Sequence, residues 1–105
     1  MKHKLNKPVI CSDGFRMSVQ ANDTAYCNPQ VSGAAHYESV EVGYPNAPET
    51  LLIGYSEDPE NPTGTVYPRV PSALVSLVIA KHGGMVSGEV PPGVAQLRPI
   101  EEGQQ

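Results

Sequence analysis

The sequence predicts an α+β domain, an antiparallel β-sheet of about five short strands with one C-terminal α-helix packed on one face. Short runs in which apolar and polar residues alternate recur between turn-forming residues from Pro8 to Val70. Such alternation is typical of strands with one buried face. The densest apolar run follows at residues 72–80 and is too long for one of these strands. Strands that precede a single helix are typical of the α+β class.

The length of 105 residues is enough for one domain. We expect residues 1–7 to be a flexible basic lead or the start of an edge strand, residues 8–90 to form the single α+β domain, and the Pro-rich residues 91–105 to be a tail that is disordered or docks loosely. The chain contains no tryptophan and one phenylalanine. The core is therefore expected to be mainly aliphatic.

The strands can be placed from the turn residues between them. Asp13-Gly14 separates two apolar runs, which predicts a β-hairpin because this pair tolerates the backbone angles of a tight turn. Residues 36–44, 51–55 and 65–70 are expected to be further strands. Residues 85–90 are expected to add a brief extended segment after the helix.

The predicted helix begins after Pro71, and Gly83-Gly84 ends it. His82 is expected to cap its carbonyl end. Apolar residues occupy most of its circumference, which leaves only Ser72 and Ser76 as a narrow polar strip. A helix of this kind lies against a sheet or beneath a second subunit. The pattern therefore also predicts a homodimer.

The residues from Met17 to Pro68 include no lysine or arginine. The same span holds seven carboxylates, at Asp23, Glu38, Glu41, Glu49, Glu57, Asp58 and Glu60. An acidic span argues against a nucleic-acid groove, since neutralisation of phosphates supplies much of the affinity in such complexes. The charge instead favours a protein partner with a basic surface. No apolar run is long enough to cross a membrane.

The candidates for chemistry are weak. Zinc ligands usually come in close pairs, and none of the cysteines or histidines is paired in that way. Cys11 and Cys27 are expected to be reduced thiols. A nucleophile formed by Cys27 with His36 is conceivable, but a structural role for Cys27 in the irregular loop at residues 22–35 is favoured. We expect no catalytic residues, no metal and no cofactor.

Binding is the role that remains. Tyrosine beside carboxylates suits contact with a basic protein surface, although at least three of the five tyrosines are expected to fill the faces of the sheet. The predicted partner-binding residues are Asp23, Tyr26, Glu57, Asp58 and Glu60.

Four segments resemble a family of small bacteriophage and prophage proteins that has no assigned activity. The segments are DGFRMSVQA (13–21), YCNP (26–29), YESVEVGYP (37–45) and GTVYPRVPSALVSLVIAKHGG (64–84). The resemblance implies a non-enzymatic accessory protein in the host cytoplasm that binds a host protein, including as an inhibitor of CRISPR or another defence system. Two alternatives stay open: a homodimer that binds a small ligand or nucleotide beside the loop at residues 22–35, and a virion or assembly component.

Overall fold

A computed structural model of the chain describes residues 5–100. The strands are β1 (Val9–Cys11), β2 (Arg16–Gln20), β3 (Ser39–Gly43), β4 (Val66–Pro71) and β5 (Met85–Ser87), and the helix is α1 (Ser72–Lys81). All neighbouring strands are antiparallel, in the order β4-β3-β2-β1-β5. The predicted fold class is confirmed.

The predicted hairpin joins β1 and β2. The amide of Cys11 donates to the Phe15 carbonyl at 2.8 Å, and the amide of Gly14 donates to the Cys11 carbonyl at 2.9 Å. Gly14 has a φ of +93°, a value that favours glycine, and the Asp13 carboxylate accepts a bond from the Phe15 amide. This turn closes the strand pair and leaves the Asp13 side chain at the end of the sheet.

Helix α1 follows β4 without a connecting loop, which places it against one face of the sheet. Val75, Val78 and Ile79 are fully buried against side chains of the inner sheet face, such as Met17 and Val42. Burial of this face supplies the main stabilisation of a helix too short to be stable alone.

The two serines of α1 both bind other segments. Ser72 is buried, and its hydroxyl donates to the Tyr37 carbonyl at 2.7 Å instead of capping the helix. The Ser76 hydroxyl accepts a bond from the Ala95 amide at 2.9 Å. The polar strip of the helix therefore lies along its contacts with the rest of the domain.

The outward side of α1 remains apolar. Leu77 is 55 % exposed, and Ala73 and Ala80 on the same side are also exposed. This surface is compatible with the predicted homodimer, which stays a prediction. Among residues 5–100, no helix has the length and apolar character needed to cross a membrane.

The expected strand at residues 51–55 is wrong. The chain forms a short 3-10 helix at Ile53–Tyr55, and only Leu52 of this segment is fully buried. The amide of Leu52 donates to the Glu49 carbonyl, and that of Tyr55 donates to Leu52. The backbone amides of Leu52 and Tyr55 are thus hydrogen-bonded within local turns and not to a neighbouring strand. The fifth strand of the sheet is instead β5.

The residues from Pro91 to Pro99, which the sequence predicted to be disordered or loosely docked, pack against the domain. Val94 is buried, the Met85 amide donates to the Leu97 carbonyl at 2.7 Å, and the Tyr37 amide donates to the Pro92 carbonyl at 2.9 Å. The segment therefore packs beside α1 and along the edge strand β5. Residues 101–105, and residues 1–4 of the expected N-terminal lead, lie outside the described residues.

Candidate functional site

The face of the sheet opposite the helix carries a groove. Its lining comes from three adjacent strands and two flanking residues, namely Ser18 and Gln20 of β2, Glu41 and Gly43 of β3, Val66 of β4, and Leu5 and Tyr44. Alternation along β2 and β3 places these side chains outward, because Met17, Val19, Val40 and Val42 point into the core. The volume of this depression is about 330 Å³. We call it the outer groove.

A second depression of about 210 Å³ continues the outer groove toward the hairpin. It shares Ser18, Gly43 and Tyr44 with the first and adds Pro8, Arg16 and Met17. The outer face of the sheet is therefore a shallow channel with a cation, Arg16, near one end and a carboxylate, Glu41, near the other.

Glu41 is the charged group within the outer groove, and it is partly buried. Burial raises the pKa of its carboxyl group, and the nearby Glu57 carboxylate raises it further, while a hydrogen bond from the Tyr26 amide acts in the opposite direction. Within residues 5–100, the ion pairs involve other carboxylates, and none joins Glu41 to a lysine or arginine. Neither Glu41 nor Glu57 thus forms an ion pair with a lysine or arginine of the described residues, and the nearby Arg69 guanidinium lies over the Tyr26 ring.

Tyr26 lies next to this carboxylate pair. Its carbonyl accepts a bond from the Arg69 amide at 2.9 Å, and the Arg69 guanidinium lies 5.6 Å from the centre of its ring. Arg69 has a φ of +50° where the register between β3 and β4 shifts. This irregularity brings the loop at residues 22–35 against the sheet, and the Tyr26 ring remains 44 % exposed.

The acidic loop continues from the edge of the sheet. The Glu57 amide donates to the Val66 carbonyl of β4 at 3.1 Å, which fixes the start of the loop beside the outer groove. Asp58 and Glu60 follow in turns and are exposed. The Asp58 amide donates to the Ser56 hydroxyl. We call the surface formed by Tyr26, Glu41, Glu57, Asp58 and Glu60 the acidic outer face.

The structure thus brings together two of the five predicted partner-binding residues, Tyr26 and Glu57, around Glu41. Asp58 and Glu60 extend the same loop, whereas Asp23 is exposed in the loop at residues 22–35, where its amide donates to the Ser32 hydroxyl. Sequence reasoning did not select Glu41. The alternation that buries Val40 and Val42 already placed it on the outward side of β3 and could have identified it.

The prediction that at least three tyrosines fill the sheet faces is wrong. Tyr37 and Tyr67 are buried, and each hydroxyl donates to a backbone carbonyl. Tyr26, Tyr44 and Tyr55 are between 37 % and 61 % exposed. More aromatic surface is therefore available for contact than the sequence suggested.

A second polar cluster lies at the end of α1, around His82. The ring Nδ1 lies 2.6 Å from Asp13 Oδ2, and Nε2 lies 2.6 Å from Glu49 Oε1. Glu49 is buried, and its other oxygen accepts bonds from Lys81 Nζ and the Leu51 amide, both at 2.8 Å. The imidazole stacks on Phe15 with 4.1 Å between ring centres.

These contacts stabilise the charged forms of the cluster. Burial opposes ionisation of both groups, but the carboxylates of Glu49 and Asp13 raise the pKa of His82 above its usual range. Bonds from Lys81, the Leu51 amide and His82 lower the pKa of Glu49 to about 2. Both ring nitrogens of His82 are occupied, so the cluster holds the hairpin turn, the residue 49 region and the helix end together. His82 is the C-cap residue of α1, as predicted, and its amide donates to the Val78 carbonyl at 3.1 Å. Its side chain, however, binds carboxylates instead of the carbonyl groups at the helix end.

The adjacent cleft, lined by Asp13, Gly14, Phe15, Asn46, Ala47 and His82, has a volume of about 240 Å³. The Asn46 side chain closes one side of it by accepting a bond from the Arg16 amide and donating to the Gly14 carbonyl, both at 2.9 Å. The polar groups of the cleft are thus bound mainly to one another.

The two cysteines are free and buried. Burial raises the pKa of the Cys11 thiol to about 11. The pKa of Cys27 is also raised by burial, and its thiol is within hydrogen-bond distance of the Asn22 and Pro29 carbonyls. Protonated, buried thiols of this kind pack as small apolar groups.

Among residues 5–100, no group of three or more histidine, cysteine, aspartate or glutamate side chains is placed to hold a metal ion. Comparison of the chain with protein-family models, curated proteins and solved structures gave no match.

Proposed function

We propose that the chain is a non-enzymatic binding protein that captures a basic protein partner through its acidic outer face. In the phage setting that the resemblance implies, the partner is a host protein, and binding inhibits a defence system. The observation that carries the proposal is the position of Glu41 in the outer groove, near the Glu57 carboxylate and the exposed Tyr26, with no ion pair from residues 5–100 to either carboxylate.

The physical argument is one of charge complementarity. Carboxylates held close together repel each other, and a cation from a partner relieves that repulsion. Tyr26 and Tyr44 add exposed aromatic surface on the same side of the sheet, and aromatic side chains often contribute most of the energy of a protein interface. A loop rich in proline, which leads into β4 and is bound to it through the Glu57 amide, holds the further carboxylates near the groove.

Reversal of charge at Glu57 tests the proposal. Tagged native chain and the Glu57→Lys variant would be used to recover proteins from a lysate of a bacterial host, with quantification by mass spectrometry. We expect the native chain to recover one specific basic protein and the variant to recover at least about tenfold less of it, because loss of a charged contact plus a new repulsion exceeds roughly 1.4 kcal/mol.

Glu38→Lys is the matched control. Glu38 is exposed, belongs to the same acidic span, and undergoes the same change of charge. Recovery should remain at the native level in this variant. Equal losses in both variants, or no specific protein recovered by the native chain, would contradict the proposal.

A further inference from the structure

We infer that the outer groove binds a single lysine side chain of the partner, with the alkyl stem lying along Gly43 and Val66 and the ammonium group at the Glu41 carboxylate. The inference rests on the proposed function, since it names the group that the partner inserts. Within the contact between the acidic outer face and a basic surface, it specifies where the partner inserts a side chain, which residue type that is, and which way the side chain points.

The floor of the groove is suited to an aliphatic stem. Gly43 presents no side chain, and a Cβ added there would lie 3.7 Å from a Val66 methyl group and 3.8 Å from Ser18 Cβ. The methylene stem of a lysine can therefore contact the backbone of β3 at Gly43, between the side chains of Val66 and Ser18. Tyr44, which is 61 % exposed, and Leu5 provide further apolar surface at the rim. Lysine buries its methylene groups in such surroundings while its charge stays near water.

The charge at the end of the groove selects a cation. The Glu41 carboxylate is partly buried and has a second carboxylate, Glu57, near it, so a positive group gains from both. A neutral or anionic side chain would leave this repulsion in place. The groove therefore discriminates by charge as well as by shape.

The shape of the groove favours lysine over arginine. Glu41 is the charged residue among those that line the groove. Lysine ends in a compact ammonium group on a flexible four-carbon stem, whereas arginine ends in a planar guanidinium group. A depression that runs over Gly43 between the Val66 and Ser18 side chains, with one carboxylate in its lining, consequently suits lysine.

The test uses the full chain, labelled with ¹⁵N, and a defined probe, the capped peptide acetyl-Ala-Val-Lys-Val-Ala-amide. Three matched peptides replace the lysine by Nε-acetyl-lysine, arginine or norleucine. Amide chemical shifts are followed by NMR during titration. We expect saturable shifts at Gln20, Gly43 and Tyr44 with the lysine peptide, weaker binding of the arginine peptide, and no saturable shifts with the acetylated and norleucine peptides.

Two variants probe opposite ends of the groove. Glu41→Gln keeps the shape of the side chain and should weaken binding of the lysine peptide about tenfold. Gly43→Ala introduces only ordinary van der Waals contacts, so the chain should fold, but the added methyl group occupies the floor and should weaken binding as well. Glu38→Gln, outside the groove, should leave binding unchanged.

The inference is wrong if the acetylated peptide binds as well as the lysine peptide, if Glu41→Gln leaves binding unchanged, if shifts arise elsewhere, or if no peptide binds. These failures can be told apart from failure of the proposed function. If the Glu57→Lys variant fails to capture the partner but the native chain shows no binding of the lysine peptide, the acidic outer face binds the partner without a lysine in the groove. If the groove binds lysine but Glu57→Lys captures the partner normally, the broader proposal fails.

Discussion

At the scale of single residues, His82 shows how one side chain connects distant parts of the chain. Its two ring nitrogens meet carboxylates 69 and 33 residues away in sequence. Each carboxylate can only accept a hydrogen bond, so both contacts are satisfied when the imidazole is protonated. His82 therefore stabilises the fold as a cation, between the hairpin turn and the buried Glu49.

This cluster predicts a pH dependence of stability. The pKa of Glu49 is lowered from 4.5 to about 2, so its contribution is complete above pH 4.5 and is lost as the pH falls toward 2. The pKa of His82 is raised, so its contribution is complete below pH 6.5 and is lost as the pH rises through the folded-state value. The free energy of unfolding should therefore be greatest between about pH 4.5 and pH 6.5. It should decrease by roughly 3 kcal/mol as the pH falls from 4.5 to about 2 and Glu49 becomes protonated.

Urea unfolding at a series of pH values measures this dependence. The variant His82→Gln should lose the decline on the alkaline side, whereas His36→Gln, which changes an exposed histidine, should retain it. If the free energy of unfolding of His82→Gln still declined at alkaline pH as in the native chain, the cluster would not contribute as described.

The sequence could not predict this cluster. Nothing in the local pattern around Glu49, which follows Pro48 in an irregular segment, distinguishes a buried carboxylate from the exposed ones at Glu57 or Glu60. The position of His82 after the helix suggested an interaction with the helix end. The partners of His82, Asp13 and Glu49, become evident only from the three-dimensional structure, in which the hairpin turn and the residue 49 region pack against the end of α1.

At the scale of secondary structure, periodicity and turn residues predicted most elements. The hairpin at Asp13-Gly14, strands β3 and β4, and helix α1 follow directly from the alternation, the apolar run and the glycine pair. Residues 51–55 were misassigned because a short apolar run does not distinguish a strand from a turn that buries one leucine. There, Leu52 alone enters the core, and no strand pairs with the segment.

The C-terminal segment gives a prediction at this scale. Gly93 has a φ of +111°, and a Cβ added there would overlap the Tyr37 carbonyl oxygen. Because residues 91–99 pack against the domain, Gly93→Ala should lower the free energy of unfolding by about 2 kcal/mol, through both the backbone conformation and the overlap.

Thermal or urea unfolding of Gly93→Ala, compared with Gly54→Ala, would check this expectation. Gly54 is exposed, lacks a positive φ, and has no atom within 4 Å of an added Cβ, so its variant should be nearly as stable as the native chain. Native stability in Gly93→Ala would mean that the segment is not packed against Tyr37. The sequence predicted disorder or loose docking here and no defined contacts, because the scattered apolar residues Val94 and Leu97 lack a regular period.

At the scale of the whole molecule, the sheet has two different faces. The inner face is covered by α1 and holds the core, whereas the outer face carries the outer groove and borders the acidic loop. The absence of lysine and arginine from Met17 to Pro68 indicated an acidic surface. The sequence could not show that Tyr26 and Glu57 meet at Glu41, since that meeting depends on the irregular register between β3 and β4.

Carboxyl footprinting of the chain, free and in complex with its captured partner, tests the central claim most directly. The extent of chemical labelling of each carboxylate would be measured by mass spectrometry. We predict that labelling of Glu41, Glu57, Asp58 and Glu60 falls in the complex while labelling of the exposed Glu38 is unchanged. Unchanged labelling of Glu41 and Glu57, with protection only of carboxylates elsewhere, would contradict the assignment of the acidic outer face as the binding surface.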